Sequence, residues 1–232
     1  MLVAGFPAGS WATNCYVVAA GPGEPCIIID PGQDSIDAVH DLVRENRLAP
    51  AAVLLTHGHI DHVWSVAPIS AEFDIPALIH SADRYRLVDP AGTTMAASRA
   101  QLLAMTKNSL ELTEPNEVRV LADEEIVDLA GLAFRVRHAP GHTEGSVVFL
   151  IEDVMISGDV LFAGSIGRTD LPGGDHGSML DSLRRVILPT PDDTTVLPGH
   201  GPQTTIAVER ATNPYLRSLI DSDEAPQRTT GL

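Results

Sequence analysis

His57-Gly58-His59-Ile60-Asp61-His62 places four metal-ligand side chains within six residues. The chain's own composition would produce such a run roughly once in a thousand sequences of this length. The residues just before it, Ala51 to Thr56, form a short apolar run that reads as a buried strand. In an extended segment residues i and i+2 face the same way, so His57 and His59 can reach one point together. Asp61 and His62 fall where the chain is expected to turn into a helix, and can face a neighbouring point. Imidazole and carboxylate are donors that zinc and similar divalent ions accept.

Further donors follow strands in the same manner. His142 lies in Ala139-Pro140-Gly141-His142-Thr143, Asp159 in Ser157-Gly158-Asp159 and His200 in Pro198-Gly199-His200. Each stands just past a predicted strand, beside a glycine that lets backbone and side chain approach an ion closely. Any one of these histidines alone reads as a loop residue bonded to backbone. Seven residues in equivalent strand-to-loop positions read as a metal centre. His40, His80, His138 and His176 lack that setting and read as structural.

Outward from the motif, Asn14 to Ala20 and Cys26 to Ile29 read as strands about a Gly-Pro-Gly turn. Ser35 is the expected cap of a helix with apolar residues at Ile36, Val39, Leu42 and Val43. Pro76 to Ile79 reads as a strand, and residues 81 to 110 carry two helical patches that suit either a lid or a surface connection. Five short, closely spaced strands then follow: Val118–Leu121, Ile126–Leu129, Leu132–His138, Ser146–Ile151 and Val154–Ser157. A helix over Ser178–Leu188, a strand over Thr194–Leu197 and a last helix from Thr205 to Ile220 complete the pattern. One α/β domain over residues 1–220 is expected, with a polar, mobile tail over 221–232.

Fifteen basic against 31 acidic residues give a formal charge of −16. Such a surface repels phosphate backbones and anionic membranes, so neither nucleic acid nor a membrane is an expected partner. The two cysteines, Cys15 and Cys26, make no disulfide framework and read as buried free thiols, although a cross-hairpin bond is the other option. No basic-then-apolar leader opens the chain and no apolar run suits a membrane span, so a cytoplasmic protein is expected. Oligomeric state is not legible.

The His-x-His-x-Asp-His loop, followed in order by Gly-His, Gly-Asp and Gly-His, resembles the metallo-β-lactamase superfamily over most of the chain. The resemblance implies an α/β fold, an αβ/βα sandwich of two mixed β-sheets flanked by helices, with the site at one edge between the sheets. It implies that His57, His59 and His142 hold one metal, that Asp61, His62 and His200 hold a second, and that Asp159 bridges them. Asp30, in Ile29-Asp30-Pro31-Gly32, matches a family position beside the site, its alternative role being a turn-forming aspartate before proline. Gly158-Asp159-Val160-Leu161-Phe162 with Gly167-Arg168-Thr169-Asp170 is similar to glyoxalase II-type thioesterases and to persulfide dioxygenases rather than to β-lactamases. Only 32 residues follow His200, which suits the short single-domain glyoxalase II-like branch.

The implied activity is hydrolysis of 2-hydroxyacyl thioesters of the S-lactoylglutathione type by a hydroxide bridging two divalent metals, zinc first, with iron or manganese accepted by the same donors. Asp61 would orient the hydroxide. Arg168 would bind a substrate carboxylate or hydroxyl, unless it is tied in an ion pair with Asp170. The alternatives are an iron-dependent persulfide dioxygenase on the same segment, a non-catalytic metal-binding protein, and a β-lactamase.

Overall fold

β2 (Thr13–Ala19) is apolar at each of positions 15 to 19 because both its faces are covered. Cys15, Val17 and Ala19 enter one apolar layer, Tyr16 and Val18 another, as the two-residue period of a strand requires. The structure, a computed structural model, describes residues 1–89 and 113–224. Among these residues the alternation seen in β2 recurs in both sheets.

The first sheet runs β1 (Leu2–Ala8), β2, β3 (Pro25–Ile29), β4 (Ala49–Leu54), β5 (Ala77–His80), β6 (Val118–Leu121) in spatial order. β1 to β3 are antiparallel, β3 to β6 parallel. The second sheet has β12 (Thr204–Thr205), β11 (Thr195–Pro198), β10 (Val154–Gly158), β9 (Val147–Ile151), β8 (Leu132–His138), β7 (Ile126–Leu129) in spatial order. Only β10 and β11 pair in parallel there.

Tyr16, Val18, Ile27, Ile29 and Leu54 of the first sheet pack against Phe134, Val136, Phe149 and Ile156 of the second. On the far side of the first sheet lie α1 (Ile36–Asn46) and α3 (Val66–Phe73), through Val39, Val66 and Ile69. On the far side of the second lie α4 (His176–Ser182), which continues to Ile187 in a wider π turn, α5 (Ile206–Thr212) and α6 (Pro214–Glu224). The result is the expected αβ/βα sandwich. At one end the sheets are seamed by hydrogen bonds: Asn14 N to Gly199 O at 2.7 Å, Val147 N to Thr56 O at 2.8 Å and Tyr16 Oη to Pro198 O at 2.7 Å.

Several expectations need correction. β1 was not expected; it is an edge strand whose residues alternate between half-buried and exposed, and Gly5 and Pro7 break its apolar pattern. Ser35 stands at the N-cap position of α1 as expected, but its side chain accepts no bond from the helix; its hydroxyl donates to Gly32 O at 2.9 Å. The single C-terminal helix is two. α5 ends at Thr212, and Asn213 turns the chain so that Pro214 opens α6, a position where its missing N–H costs nothing. α6 reaches Glu224, so residues 221–224 of the expected tail are helical; the rest of that tail, and the expected helical patches over 90–110, lie outside the described residues. Cys15 and Cys26 are free and buried, and Cys26 stands opposite Ala19 in the ladder, not opposite Cys15. No helix among the described residues is long and apolar enough to cross a membrane.

The middle layer sets the stability. Phe134 is fully buried in it, whereas Ile126 is 54 % exposed on the edge strand. Urea unfolding of Phe134→Ala is expected to show a loss of about 3–5 kcal/mol, and of Ile126→Ala a change within about 0.5 kcal/mol. Equal losses at the two positions would contradict the layer assignment.

Candidate metal centre

All seven sequence-predicted ligands meet at the seamed end of the sandwich. His57 and His59 lie in the loop after β4, and Asp61 and His62 in the single turn α2 (Ile60–Val63). His142 follows β8, Asp159 follows β10 and His200 follows β11. Three overlapping groups of donor atoms form: His57, His59 and His142; His57, His62 and Asp159; Asp61, His62 and His200. Two glycines make this approach possible. A Cβ on Gly199 would sit 2.1 Å from Asp159 Oδ1, and one on Gly32 would sit 2.1 Å from the Asp61 carbonyl oxygen.

Hydrogen bonds fix how the rings point. His57 Nδ1 donates to Thr56 Oγ1 at 3.1 Å, and that hydroxyl donates to Asp30 Oδ2 at 2.6 Å. His62 Nδ1 donates to the same Asp30 oxygen at 2.9 Å. His142 Nδ1 donates to Arg168 O at 2.8 Å and His200 Nδ1 to Trp11 O at 3.2 Å. With Nδ1 protonated in each neutral ring, the bare Nε2 of each faces the centre. His59 is reversed: its Nδ1 lies 3.1 Å from His57 Nε2 and 2.7 Å from His142 Nε2. One proton cannot satisfy three nitrogen lone pairs that converge in this way. A cation can.

Asp159 stands between the groups, Oδ1 3.4 Å from His62 Nε2, Oδ2 3.4 Å from His142 Nε2 and 3.7 Å from His200 Nε2. Among the described residues, His62 Nε2 and Asp159 Oδ1 are both buried without a hydrogen-bond partner, which is costly for polar atoms unless something else completes them. Asp61 Oδ2 accepts from Thr13 Oγ1 at 2.9 Å and lies 3.1 Å from His200 Nε2. These donors fit divalent metal ions. The side chains of Asp61 and His200 keep 17 % and 30 % of their exposure while the other five ligands are buried, so the centre opens on that flank.

Burial, reinforced by neighbouring imidazoles, lowers the basicity of His57, and it pushes His59 down to about 3. For His62 and His200 burial opposes protonation, but Asp61 and Asp159 outweigh it and raise both. Burial of Asp159 is likewise outweighed, by His62, His142 and His200, and its carboxyl is held below the usual range.

Asp30 is beside the site as expected, buried and tied to Thr56 and His62. Arg168 forms a two-pronged ion pair with Asp170, both bonds 2.8 Å; its carbonyl, not its side chain, engages the centre. The roles of Thr56, Thr13 and the Trp11 carbonyl were not read from sequence, since nothing local marks them. His80 and His138 stack on each other at 4.1 Å, and His40 pairs with Glu72, apart from the centre.

A family model of the metallo-beta-lactamase superfamily matches residues 8–200, and the chain belongs to that superfamily. Its members bind divalent metal ions, typically two, and are usually hydrolytic. An uncharacterized protein of Mycobacterium tuberculosis is 45% identical over 227 residues, covering 94% of this chain and 99% of its own. Hydroxyacylglutathione hydrolase GloC of Haemophilus influenzae is 32% identical over 220 residues, covering 91% and 96%. Among solved structures, BLEG-1 B3 metallo-beta-lactamase has a TM-score of 0.80 at 38% identity, covering 93% and 99%. TTHA1623 in a di-iron-bound form has a TM-score of 0.75 at 37% identity, covering 90% and 98%.

A metal ligand must be unprotonated, and His62 and His200 hold their protons more tightly than free histidine. Zinc loading near neutral pH is therefore expected to release protons, with affinity still rising as pH climbs above the ordinary histidine value of about 6.5. Calorimetric titration in two buffers of different ionisation enthalpy measures the release. An affinity independent of pH would contradict this arrangement.

Proposed function

We propose that the protein hydrolyses acyl thioesters of the 2-hydroxyacylglutathione type at a centre of two divalent metal ions, zinc in the first instance. The observation that carries the proposal is the convergence of bare nitrogens around Asp159, open on the Asp61 and His200 flank. It gains support from the relative named hydroxyacylglutathione hydrolase, similar along nearly its whole length.

His57, His59 and His142 would hold one ion, Asp61, His62 and His200 the other, with Asp159 between them. Bound there, such ions supply Lewis acidity that ionises water near neutral pH and polarises a carbonyl oxygen. The chain's residues supply position. Asp30 and Thr56 hold the His57 and His62 rings in one tautomer, and the Arg168 carbonyl does the same for His142. Asp61, held by Thr13, presents a carboxylate at the open flank that can accept a hydrogen bond from water and orient it. The thioester carbonyl would approach from that flank. A thiol leaving group with a pKa of about 8.5 departs as thiolate with little need of a proton donor, which suits a centre whose buried histidines are turned inward. Arg168 is assigned to holding Asp170 rather than to substrate, because its Nε and Nη2 both donate to that carboxylate.

A second reading, β-lactam hydrolysis by the same residues, is favoured by the 38% identity to a structure named a B3 metallo-beta-lactamase.

Purified protein is expected to hydrolyse S-lactoylglutathione at about 1–10³ s⁻¹, with nearly two metals per chain, activity lost on chelation and restored by zinc. Arg168→Ala is expected to leave KM within about threefold, as an exposed ion pair contributes little. A kcat/KM for nitrocefin above that for the thioester would put the second reading first. Absence of hydrolysis with one iron per chain would overturn both and direct the assay to oxygen consumption with glutathione persulfide.

A further inference from the structure

Asp83 belongs to none of the ligand groups, and its sequence neighbourhood, Ser81-Ala82-Asp83-Arg84, carries no recognisable motif. It lies on a 3₁₀ segment, Ser81–Leu87, after β5, and is fully buried. Its Oδ2 accepts from Gly58 N at 2.8 Å and from Thr143 Oγ1 at 2.7 Å. Its Oδ1 accepts from Gly145 N at 2.9 Å and from Arg86 Nε at 3.2 Å. Gly58 is the residue between His57 and His59. Thr143 adjoins His142, and Gly145 lies three residues beyond it. One carboxylate thus fastens the two loops whose histidines converge.

The fit depends on small residues. A Cβ on Gly145 would sit 2.6 Å from Asp83 Cγ, and one on Gly58 would sit 2.6 Å from Arg86 Cβ. The arrangement is also expensive. Arg86 is as buried as Asp83; its Nη2 donates to Glu144 Oε2 at 2.8 Å and Pro172 O at 3.3 Å, but its Nη1 has no partner among the described residues. A buried ion pair with an unsatisfied donor is a poor device for stability alone. What it does achieve is a fixed spacing between the two loops.

We infer that Asp83 is a positioning residue: it sets the distance between the His57–His59 loop and the His142 loop, and so the affinity of that three-histidine group for its metal, without touching the metal. The inference rests on the reading of His57, His59 and His142 as ligands. It predicts an effect confined to one of the two ions.

The test uses the full chain as wild type, Asp83→Asn and Thr143→Val. Zinc is titrated against a chromophoric chelator, and cobalt(II) loading is followed by absorption. Asn keeps the size of Asp83 but turns an amide toward N–H or O–H donors on whichever side it faces. Val keeps the shape of Thr143 and removes only the hydroxyl that Asp83 holds beside His142. In both variants one zinc is expected to bind about 10–100-fold more weakly, with the other unchanged and the cobalt spectrum altered. Unchanged affinity for both ions in a folded variant, or equal weakening of both, overturns the inference. If Asp83→Asn does not fold, Thr143→Val decides by the same criterion. A wild type that binds no zinc overturns the ligand reading itself, an outcome distinct from two variants that bind like wild type.

Discussion

Crowding five imidazoles and two carboxylates until their lone pairs nearly touch is unfavourable for any protein, because burial removes the water that would separate them. The cluster here is held together from outside. Asp30, Thr56, the Arg168 carbonyl and the Trp11 carbonyl each take the outward N–H of a ring, so that the inward nitrogens are bare. Each of those acceptors sits on a strand end or the loop beside it, and the strand ends are where they are because two apolar sheet faces must cover each other. The hydrophobic layer led by Phe134 and Phe149 thus sets the geometry of the polar centre at its end.

The division of labour between the two ends of each strand follows. The interiors of the central strands β2, β3 and β9 are apolar on both faces, as strands covered on both sides are. Donors are confined to the residues just past strand ends, where the chain is free of the ladder and glycine can bring it close. Among the described residues, the flank at Asp61 and His200 is where the centre is most open to solvent.

Much of this was legible in the residues themselves. The histidines that converge at the seamed end announce themselves because a His-x-His-x-Asp-His run has few other uses, and the repeated Gly-His and Gly-Asp steps mark the remaining strand ends. The sandwich was legible through the resemblance those motifs carry; periodicity alone reached only an α/β chain. What stayed hidden is tertiary. Leu2–Ala8 lacks a continuous apolar signal because an edge strand is half solvated. Pro214 is the exception, a local signal, since proline inside a helical pattern is a standard break and here it opens a second helix. Asp83 and Arg86 look like ordinary surface residues in sequence, and only the fold shows that they are enclosed. For Arg168 the sequence left two options open, and the fold provides the ion pair.

The two sheets come from successive parts of the chain, and the ligands are divided between them. His57, His59, Asp61 and His62 belong to the first half, His142, Asp159 and His200 to the second. His59 and His142, 2.7 Å apart in space, are 83 residues apart in the chain. An ion held by both would therefore be a reversible cross-link that closes a long loop, restricting the unfolded ensemble as a covalent staple would. In a molecule so linked, metal supply would govern persistence as well as chemistry: starved of metal, the chain would lose one of the ties between its halves, and turnover by proteases, which act on opened chains, would track metal availability.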